Sequence, residues 1–163
     1  MSYFEIYDNF ISSVEVKNLL TVGVNSSDSS WNAMNEEELN GKFWNGKRMM
    51  IDPKLSTDLK SKTDSLFEYK YSITAANKLQ RFYTNDVLGP LVDQDFVPEI
   101  EYACAFFLHD DFEGGGIMFN DIDKHVKPKA NTLVVYPGNL KYSIMGPSSE
   151  GYMHFITMFF NRY

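Results

Sequence analysis

A His-x-Asp pair is the arrangement in this 163-residue chain with the clearest potential for chemistry. His109 and Asp111 have the spacing with which an imidazole and a carboxylate can bind one transition-metal ion, and His154 is available as a third ligand. The alternative is that His109, Asp110 and Asp111 form a solvated turn that holds no metal. We favour the turn, because the pair lies at the end of a predicted strand, just before the glycines at 114–116.

Three other groups of residues offer a site, and each also has a simpler explanation. Asp93, Asp95 and Glu99 form an acidic cluster suited to weak binding of a hard cation such as Ca²⁺, although such clusters are more often solvated loops. The three glycines from Gly114 could cradle a phosphate, but no helix carrying Lys-Ser/Thr follows, so a hairpin turn with positive φ is favoured. The single cysteine, Cys104, is expected to be a buried apolar residue on a strand.

The composition excludes several classes of function. Hydrophobic residues make up 44% of the chain and aromatic residues 15%, which supplies a core and argues against disorder. A formal net charge of -7 without a basic cluster disfavours nucleic-acid binding, because phosphates would be repelled. No apolar run approaches the roughly 20 residues that span a bilayer, and no basic signal-peptide segment opens the chain. We therefore expect a cytoplasmic protein that binds neither nucleic acid nor membrane.

The N-terminal part, residues 1–72, is predicted to be mainly helical. A short strand over Tyr3 to Tyr7 precedes a helix that begins at a cap, Ser12 or Ser13, and ends near Leu20.

Two further segments complete this part. Residues 23–48 are polar and are expected to form an irregular excursion held by the indoles of Trp31 and Trp44. Asp52-Pro53 is a strong helix start, and the apolar spacing after it predicts a helix to about residue 70.

Residues 73–163 are predicted to form the β core of a single domain spanning residues 1–163. Short strands are expected at 77–84, 100–108, 116–120, 132–136, 141–145 and 152–160, with turns at Gly89-Pro90, Gly114 to Gly116, Pro137-Gly138 and Gly146-Pro147. Helices followed by many short strands indicate an α+β, mainly β fold. The expected architecture is a β-sandwich or jelly roll with the N-terminal helices packed on one sheet.

Five segments of the chain are informative because of their sequences and their order along the chain. The two most specific are FFLHDDFEGGGIMF at 106–119 and KPKANTLVVYPG at 127–138. The others are FEIYDNFISSVEVKNLL at 4–20, LQRFYTNDVLGPLVDQD at 79–95 and KYSIMGPSSEGYMHFITMFF at 141–160. In this order the segments resemble the iron(II)/2-oxoglutarate-dependent oxygenases of the prolyl-4-hydroxylase type. They also resemble bacteriophage members of that family. The resemblance implies a double-stranded β-helix, the jelly roll of that family.

The resemblance also implies where ligands should lie. The family holds iron with a His-x-Asp pair and one distal His, and an Arg or Lys further on pairs with the far carboxylate of 2-oxoglutarate. Carried over position by position, Leu91 and Asp93 fall on the pair, Tyr142 on the distal His and His154 on the cation. Only Asp93 is retained. Leucine has no lone pair and a phenol has an ordinary pKa of about 10, so these residues do not make a tight iron(II) site.

The sequence therefore favours a catalytically degenerate protein of this type that acts as a binding or structural assembly module, with neither iron nor 2-oxoglutarate as cofactor. Its pocket is expected to be lined by Leu91, Asp93, Tyr142 and His154, with Tyr142 and His154 at the 2-oxoglutarate positions. The alternative is an active Fe(II)/2-oxoglutarate dioxygenase with non-standard ligands. These would be Asp93 with unrecognised partners, or His109, Asp111 and His154.

The C-terminal strand, 152–163, suggests a protein partner. Its consecutive apolar residues, among them Phe159 and Phe160, break the alternation of a strand with one wet face. Either both faces are buried in the jelly roll, or one face docks onto another subunit. The second interpretation predicts self-association or assembly through this strand, and a virion location if the chain is phage-encoded.

Overall fold

The computed structural model describes residues 3–33, 45–67 and 71–162. Trp44 and Tyr163 lie outside these ranges. The described part contains two helices, α1 (Ser13–Asn25) and α2 (Thr57–Leu66). Its eleven strands are β1 (Glu5–Tyr7), β2 (Asn32–Ala33), β3 (Lys47–Met50), β4 (Tyr71–Tyr83), β5 (Val87–Leu91), β6 (Ile100–Phe107), β7 (Gly114–Phe119), β8 (Lys124–Val126), β9 (Thr132–Pro137), β10 (Tyr142–Pro147) and β11 (Tyr152–Arg162). Short 3-10 turns cover Asp28–Ser30, Pro53–Leu55, Asp93–Asp95 and Asn120–Ile122.

The strands form two antiparallel sheets. The large sheet has the order β1-β9-β6-β11-β4-β3-β2, and the small sheet has the order β5-β10-β7-β8. From β4 onward the chain passes repeatedly from one sheet to the other, and the inner faces of the two sheets share one apolar core. This arrangement is a jelly roll, so the predicted fold class is confirmed.

Side chains alternate between the two faces of the large sheet and so form two cores. The interior core lies between the sheets and includes Phe82, Phe107 and Phe155 from the large sheet and Phe119 and Tyr142 from the small one. The helix-side core lies on the outer face of the large sheet, beneath the two helices. Its sheet members include Leu79, Cys104, Phe106, Ile156 and Met158.

The two helices are locked to each other by polar side chains at their N-termini. Ser12 caps α1 by accepting the N–H of Glu15 at 3.3 Å, and its hydroxyl donates to Asp58 at 2.9 Å. The buried carboxylate of Glu15 accepts the backbone N–H groups of Asp58 and Leu59 at 3.0 and 2.9 Å. Glu15 therefore satisfies the free donors at the start of α2, where a negative charge is also favoured by the helix dipole.

Several element boundaries differ from the predictions. α1 continues to Asn25, and the helix predicted from Asp52 to about residue 70 is a 3-10 turn followed by the shorter α2. The predicted turn at Gly89-Pro90 lies inside β5. Because β5 is an edge strand of the small sheet, the missing N–H of Pro90 leaves no ladder partner unsatisfied.

The middle of the C-terminal strand is buried on both faces. β11 lies between β6 and β4 in the middle of the large sheet, and residues from Met153 to Met158 are buried on both sides. Over these residues the interior core covers one face and the helix-side core covers the other, as the first interpretation of the strand expected. Docking of this strand onto another subunit stays a prediction. Neither α1 nor α2 combines the length and the apolar character of a membrane-spanning helix.

Candidate functional site

The structure brings together three of the residues that the resemblance placed at ligand positions. Tyr142, the first residue of β10, lies opposite Leu91, the last residue of β5. Asp93 opens the 3-10 turn that follows β5. The Tyr142 hydroxyl donates a hydrogen bond of 2.7 Å to Oδ1 of Asp93. All three side chains are buried, and Tyr142 belongs to the interior core.

The Asp93 carboxyl is poorly solvated. Asp93 is only 6% exposed, and its buried Oδ2 has no hydrogen-bond partner in the described part of the chain. Burial raises the pKa of Asp93 to about 7, although the hydrogen bond from Tyr142 acts in the opposite direction. Near neutral pH this carboxyl therefore has a substantial neutral fraction.

Two buried phenols complete the cluster. The rings of Tyr136 and Tyr142 are 5.2 Å apart between centroids, so the two side chains pack against each other. Burial, followed by the nearby negative charge of Asp93, raises the pKa of both phenols well above the usual value. Both phenols therefore stay neutral, and the Tyr142 hydroxyl acts as the hydrogen-bond donor to Asp93. No sequence motif singles out Tyr136. Its one signal is its place two residues after Val134 in β9, on the face that joins the interior core.

These residues do not fit iron(II). Leu91 offers no donor atom, and the Tyr142 hydroxyl is engaged with Asp93. One carboxylate oxygen, Oδ2 of Asp93, is left without a partner. An iron(II) site of this type needs imidazole and carboxylate donors on one face of the metal, and this cluster supplies a single anionic side chain.

A second cluster joins the His-x-Asp pair to His154. His109 Nδ1 is hydrogen-bonded to the Asp111 carboxylate. His109 Nε2 accepts the backbone N–H of His154 at 3.2 Å and lies 3.1 Å from its Nδ1. The prediction that His109 belongs to a solvated turn is therefore wrong, because its imidazole is 16% exposed and packs on His154. Asp110 and Asp111 are exposed, as predicted.

The hydrogen bonds fix the proton positions in this cluster. Since Nε2 of His109 accepts, its proton lies on Nδ1 and is donated to Asp111, and this bond is the main reason that the pKa of Asp111 is lowered. Burial is the main reason that the pKa of His154 is lowered to about 4, and the positive charge of Arg81 acts in the same direction. His154 is therefore neutral at physiological pH.

The two clusters lie on opposite faces of the large sheet. His154 contacts the helix side: a Cβ at Gly23 of α1 would lie 3.0 Å from its Cδ2. Its neighbours along the strand, Met153 and Phe155, belong to the interior core. The prediction that His154 lines one pocket with Leu91, Asp93 and Tyr142 is therefore wrong, because successive residues of β11 point to opposite faces. Met153 is the interior residue at this point.

The remaining candidates have structural roles. Asp95 and Glu99 are exposed whereas Asp93 is buried against Tyr142, and the described residues contain no group of three His, Cys, Asp or Glu side chains able to hold a metal. The glycines that open β7 all have positive φ, as the hairpin prediction required. Cys104 is fully buried in β6, as predicted.

Comparison with known proteins yields matches among structures only. No family model and no curated protein matches the sequence. The viral collagen prolyl hydroxylase vCPH of Paramecium bursaria Chlorella virus-1, in its 2OG complex, has a TM-score of 0.75 at 17% identity, over 99% of this chain and 97% of that one. A Pseudomonas putida prolyl-4-hydroxylase has a TM-score of 0.74 at 14% identity, over 100% and 94% of the two chains.

A third solved structure is similar over a smaller share of its own length. The Trichoplax adhaerens prolyl hydroxylase, in complex with a hypoxia inducible factor peptide fragment, has a TM-score of 0.79 at 16% identity, over 98% of this chain and 83% of that one. The chain therefore has the jelly-roll fold of the 2OG-Fe(II) oxygenases. The resemblance found in the sequence motifs is confirmed at the level of the fold.

Proposed function

We propose that this protein is a non-catalytic jelly roll of the 2-oxoglutarate-oxygenase type that serves as a protein-binding or assembly module. The observation that carries the proposal is the hydrogen bond between Tyr142 and Asp93. These residues occupy two of the three ligand positions that the resemblance implies, and Leu91 occupies the third. By the resemblance, a hydrogen bond between two side chains of this protein therefore occupies positions that bind iron in the family.

The place of the 2-oxoglutarate anchor supports the same conclusion. Binding a dicarboxylate there requires a cationic side chain that faces the space between the sheets. Met153 and Phe155 face that space on β11, and His154 points away from it. The thioether and the phenyl ring offer no charge to a carboxylate.

Metal and cofactor binding test the proposal directly. Iron(II) with 2-oxoglutarate, added under anaerobic conditions, is expected to leave the melting temperature unchanged, because a ligand that does not bind the native state adds no stability. A ligand that binds the native state, at a concentration of 100 times its Kd, would raise the free energy of unfolding by about 2.7 kcal/mol. A saturable rise in melting temperature that Asp93→Ala abolishes would overturn the proposal.

A repaired variant tests the proposed positions independently. Leu91→His combined with Tyr142→His restores two imidazoles beside Asp93 and is expected to bind iron(II) more tightly than the parent protein. The matched control, Leu88→His with Ser143→His, adds two imidazoles to the same strands outside this cluster. Equal iron binding by both variants would show that the Leu91 and Tyr142 positions have no special geometry.

The alternative function, an active dioxygenase that uses His109, Asp111 and His154, has one observation in its favour: the three side chains are in contact. Two features oppose it. Both ring nitrogens of His109 are engaged, one by Asp111 and one by the backbone of His154, and the cluster faces the helices. Loss of an iron-dependent shift in His109→Ala, with retention in Asp93→Ala, would favour this alternative.

A further inference from the structure

Arg81 is a charged residue that is buried on the helix side of the large sheet. It lies on β4 directly opposite His154 of β11. Its guanidinium carbon lies 4.5 Å from the ring centre of Trp31 and 4.8 Å from that of Tyr152. Two aromatic rings thus contact the guanidinium, which favours the cation and restrains its orientation.

The charge of this arginine is incompletely matched. Arg81 is 9% exposed, yet within the described ranges its ion-pair partner is Asp28, whose side chain is 89% exposed. The contact is a single one, from Nη2 to Oδ1 at 3.3 Å. A guanidinium has five N–H donors in a planar fork, and stacking on rings leaves the edge of the fork for hydrogen bonding.

A second polar group lies beside the guanidinium. Nε1 of Trp31 is buried and has no hydrogen-bond partner among the described residues, although a buried indole N–H usually finds an acceptor. The donors left over around Arg81 are thus the fork edge and an indole N–H. Donors of this kind, without acceptors, suit an anion whose oxygens accept several hydrogen bonds at once.

We propose that Arg81, held by Trp31 and Tyr152, is a binding site for a carboxylate ligand, and that Asp28 occupies this site in the free protein. Asp28 is displaceable because its own side chain is 89% exposed and meets the guanidinium at one point, 3.3 Å away. A ligand carboxylate that meets the fork at two points replaces a one-point contact with a two-point contact. The site lies outside the space between the sheets and is independent of the proposed function.

The surroundings select the ligand further. Tyr83 and Tyr152 are 40% and 42% exposed, and their rings lie 4.9 Å apart beside Arg81. This exposed pair offers an apolar surface next to the cation. A carboxylate attached to an aromatic or apolar group therefore fits better than a small carboxylate alone.

Binding can be followed at the indole itself. In proton–nitrogen NMR spectra, the Trp44→Phe variant identifies the indole N–H signal of Trp31, because the chain has two tryptophans. Benzoate, acetate and inorganic phosphate are titrated at constant ionic strength. Benzoate is expected to shift the Trp31 signal saturably in the millimolar range, more tightly than acetate.

Variants distinguish two contributions of Arg81 to binding: the planar geometry of its guanidinium and its positive charge. Arg81→Lys keeps the charge without the fork and is expected to abolish saturation, whereas Asp28→Asn removes the internal competitor and is expected to tighten benzoate binding about two- to fivefold. Lys47→Gln, which removes a cation from the residue paired with Arg81 on β3, is the matched control and is expected to leave binding unchanged. Equal weakening in Arg81→Lys and Lys47→Gln, tighter binding of phosphate than of acetate, or no saturation with benzoate would overturn the proposal.

Discussion

Replacing Asp93 with Asn should change how the stability of this protein depends on pH. The carboxyl is almost fully buried, its Oδ2 has no partner, and its pKa in the folded protein is about 7 compared with 3.8 in an exposed chain. A group whose folded pKa is raised gives its full stability below its unfolded pKa and loses it as the pH rises through the folded pKa. For Asp93 the loss therefore falls between about pH 4 and pH 7.

The size of the effect follows from the two pKa values. The span from 3.8 to about 7, at about 1.4 kcal/mol per pKa unit, corresponds to about 4 kcal/mol. Asn cannot ionise, and its Oδ1 can still accept the Tyr142 hydroxyl. The free energy of unfolding of Asp93→Asn, minus that of the parent protein, should therefore increase by about 3 to 4 kcal/mol between pH 4 and pH 7.

His154 acts in the opposite direction and hides this effect in the parent protein. Its pKa is lowered from 6.5 to about 4, so it loses stability as the pH falls through that window, by about 3 kcal/mol. The two contributions nearly cancel, and the parent protein should show a shallow dependence over the window. The Asp93→Asn variant should instead become clearly more stable as the pH rises.

Urea unfolding at several pH values, followed by circular dichroism, measures these free energies. Asp95→Asn, which changes an exposed carboxyl of the same 3-10 turn, is the matched control and should differ from the parent by a small, constant amount. A difference between Asp93→Asn and the parent that stays constant from pH 4 to pH 7 would refute the reasoning, because it would mean that Asp93 titrates alike in the folded and unfolded chains.

Two other substitutions probe the polar contacts. Tyr142→Phe removes the hydrogen bond from Tyr142 to Asp93. It should lower the free energy of unfolding by about 1–3 kcal/mol in urea at neutral pH, where the carboxyl is partly ionised. The loss should be smaller at pH 4, and a larger loss at pH 4 would contradict this prediction. Glu15→Ala leaves the first N–H groups of α2 without an acceptor and should cost about 2–3 kcal/mol, whereas the exposed Glu5→Ala should change stability by less than about 0.5 kcal/mol.

The sequence predicts the core of the fold well because the strands of the large sheet have strong signals. The apolar and aromatic runs at residues 100–108 and 152–160 predict strands that match β6 and β11 within two residues. β5 was missed because Gly89-Pro90 reads as a turn, and only its place at a sheet edge permits proline in a strand. The helix predicted after Asp52 is shorter because tertiary contacts, including the cap from Glu15, set its start.

The two clusters differ in how far the sequence could predict them. Leu91, Asp93 and Tyr142 come together as the motif spacing indicates, because paired strands carry them. His154 does not join them. In the segment GYMHF apolar residues surround the histidine, so the sequence gives no alternation from which to decide which residues point inward. The contact between His109 and His154 depends on the pairing of distant strands, which local pattern does not report.

The place of β11 in the sheet order has a consequence for how the chain assembles. β4 and β6 meet only through β11, although β11 follows both of them by a long stretch of chain. Until β11 pairs, the strand order allows β1-β9-β6 and β4-β3-β2 to form only as separate halves, and each half would have an edge open to unwanted pairing. Closure then requires distant segments to find each other, so we expect slow folding and dependence on chaperones until that strand is inserted.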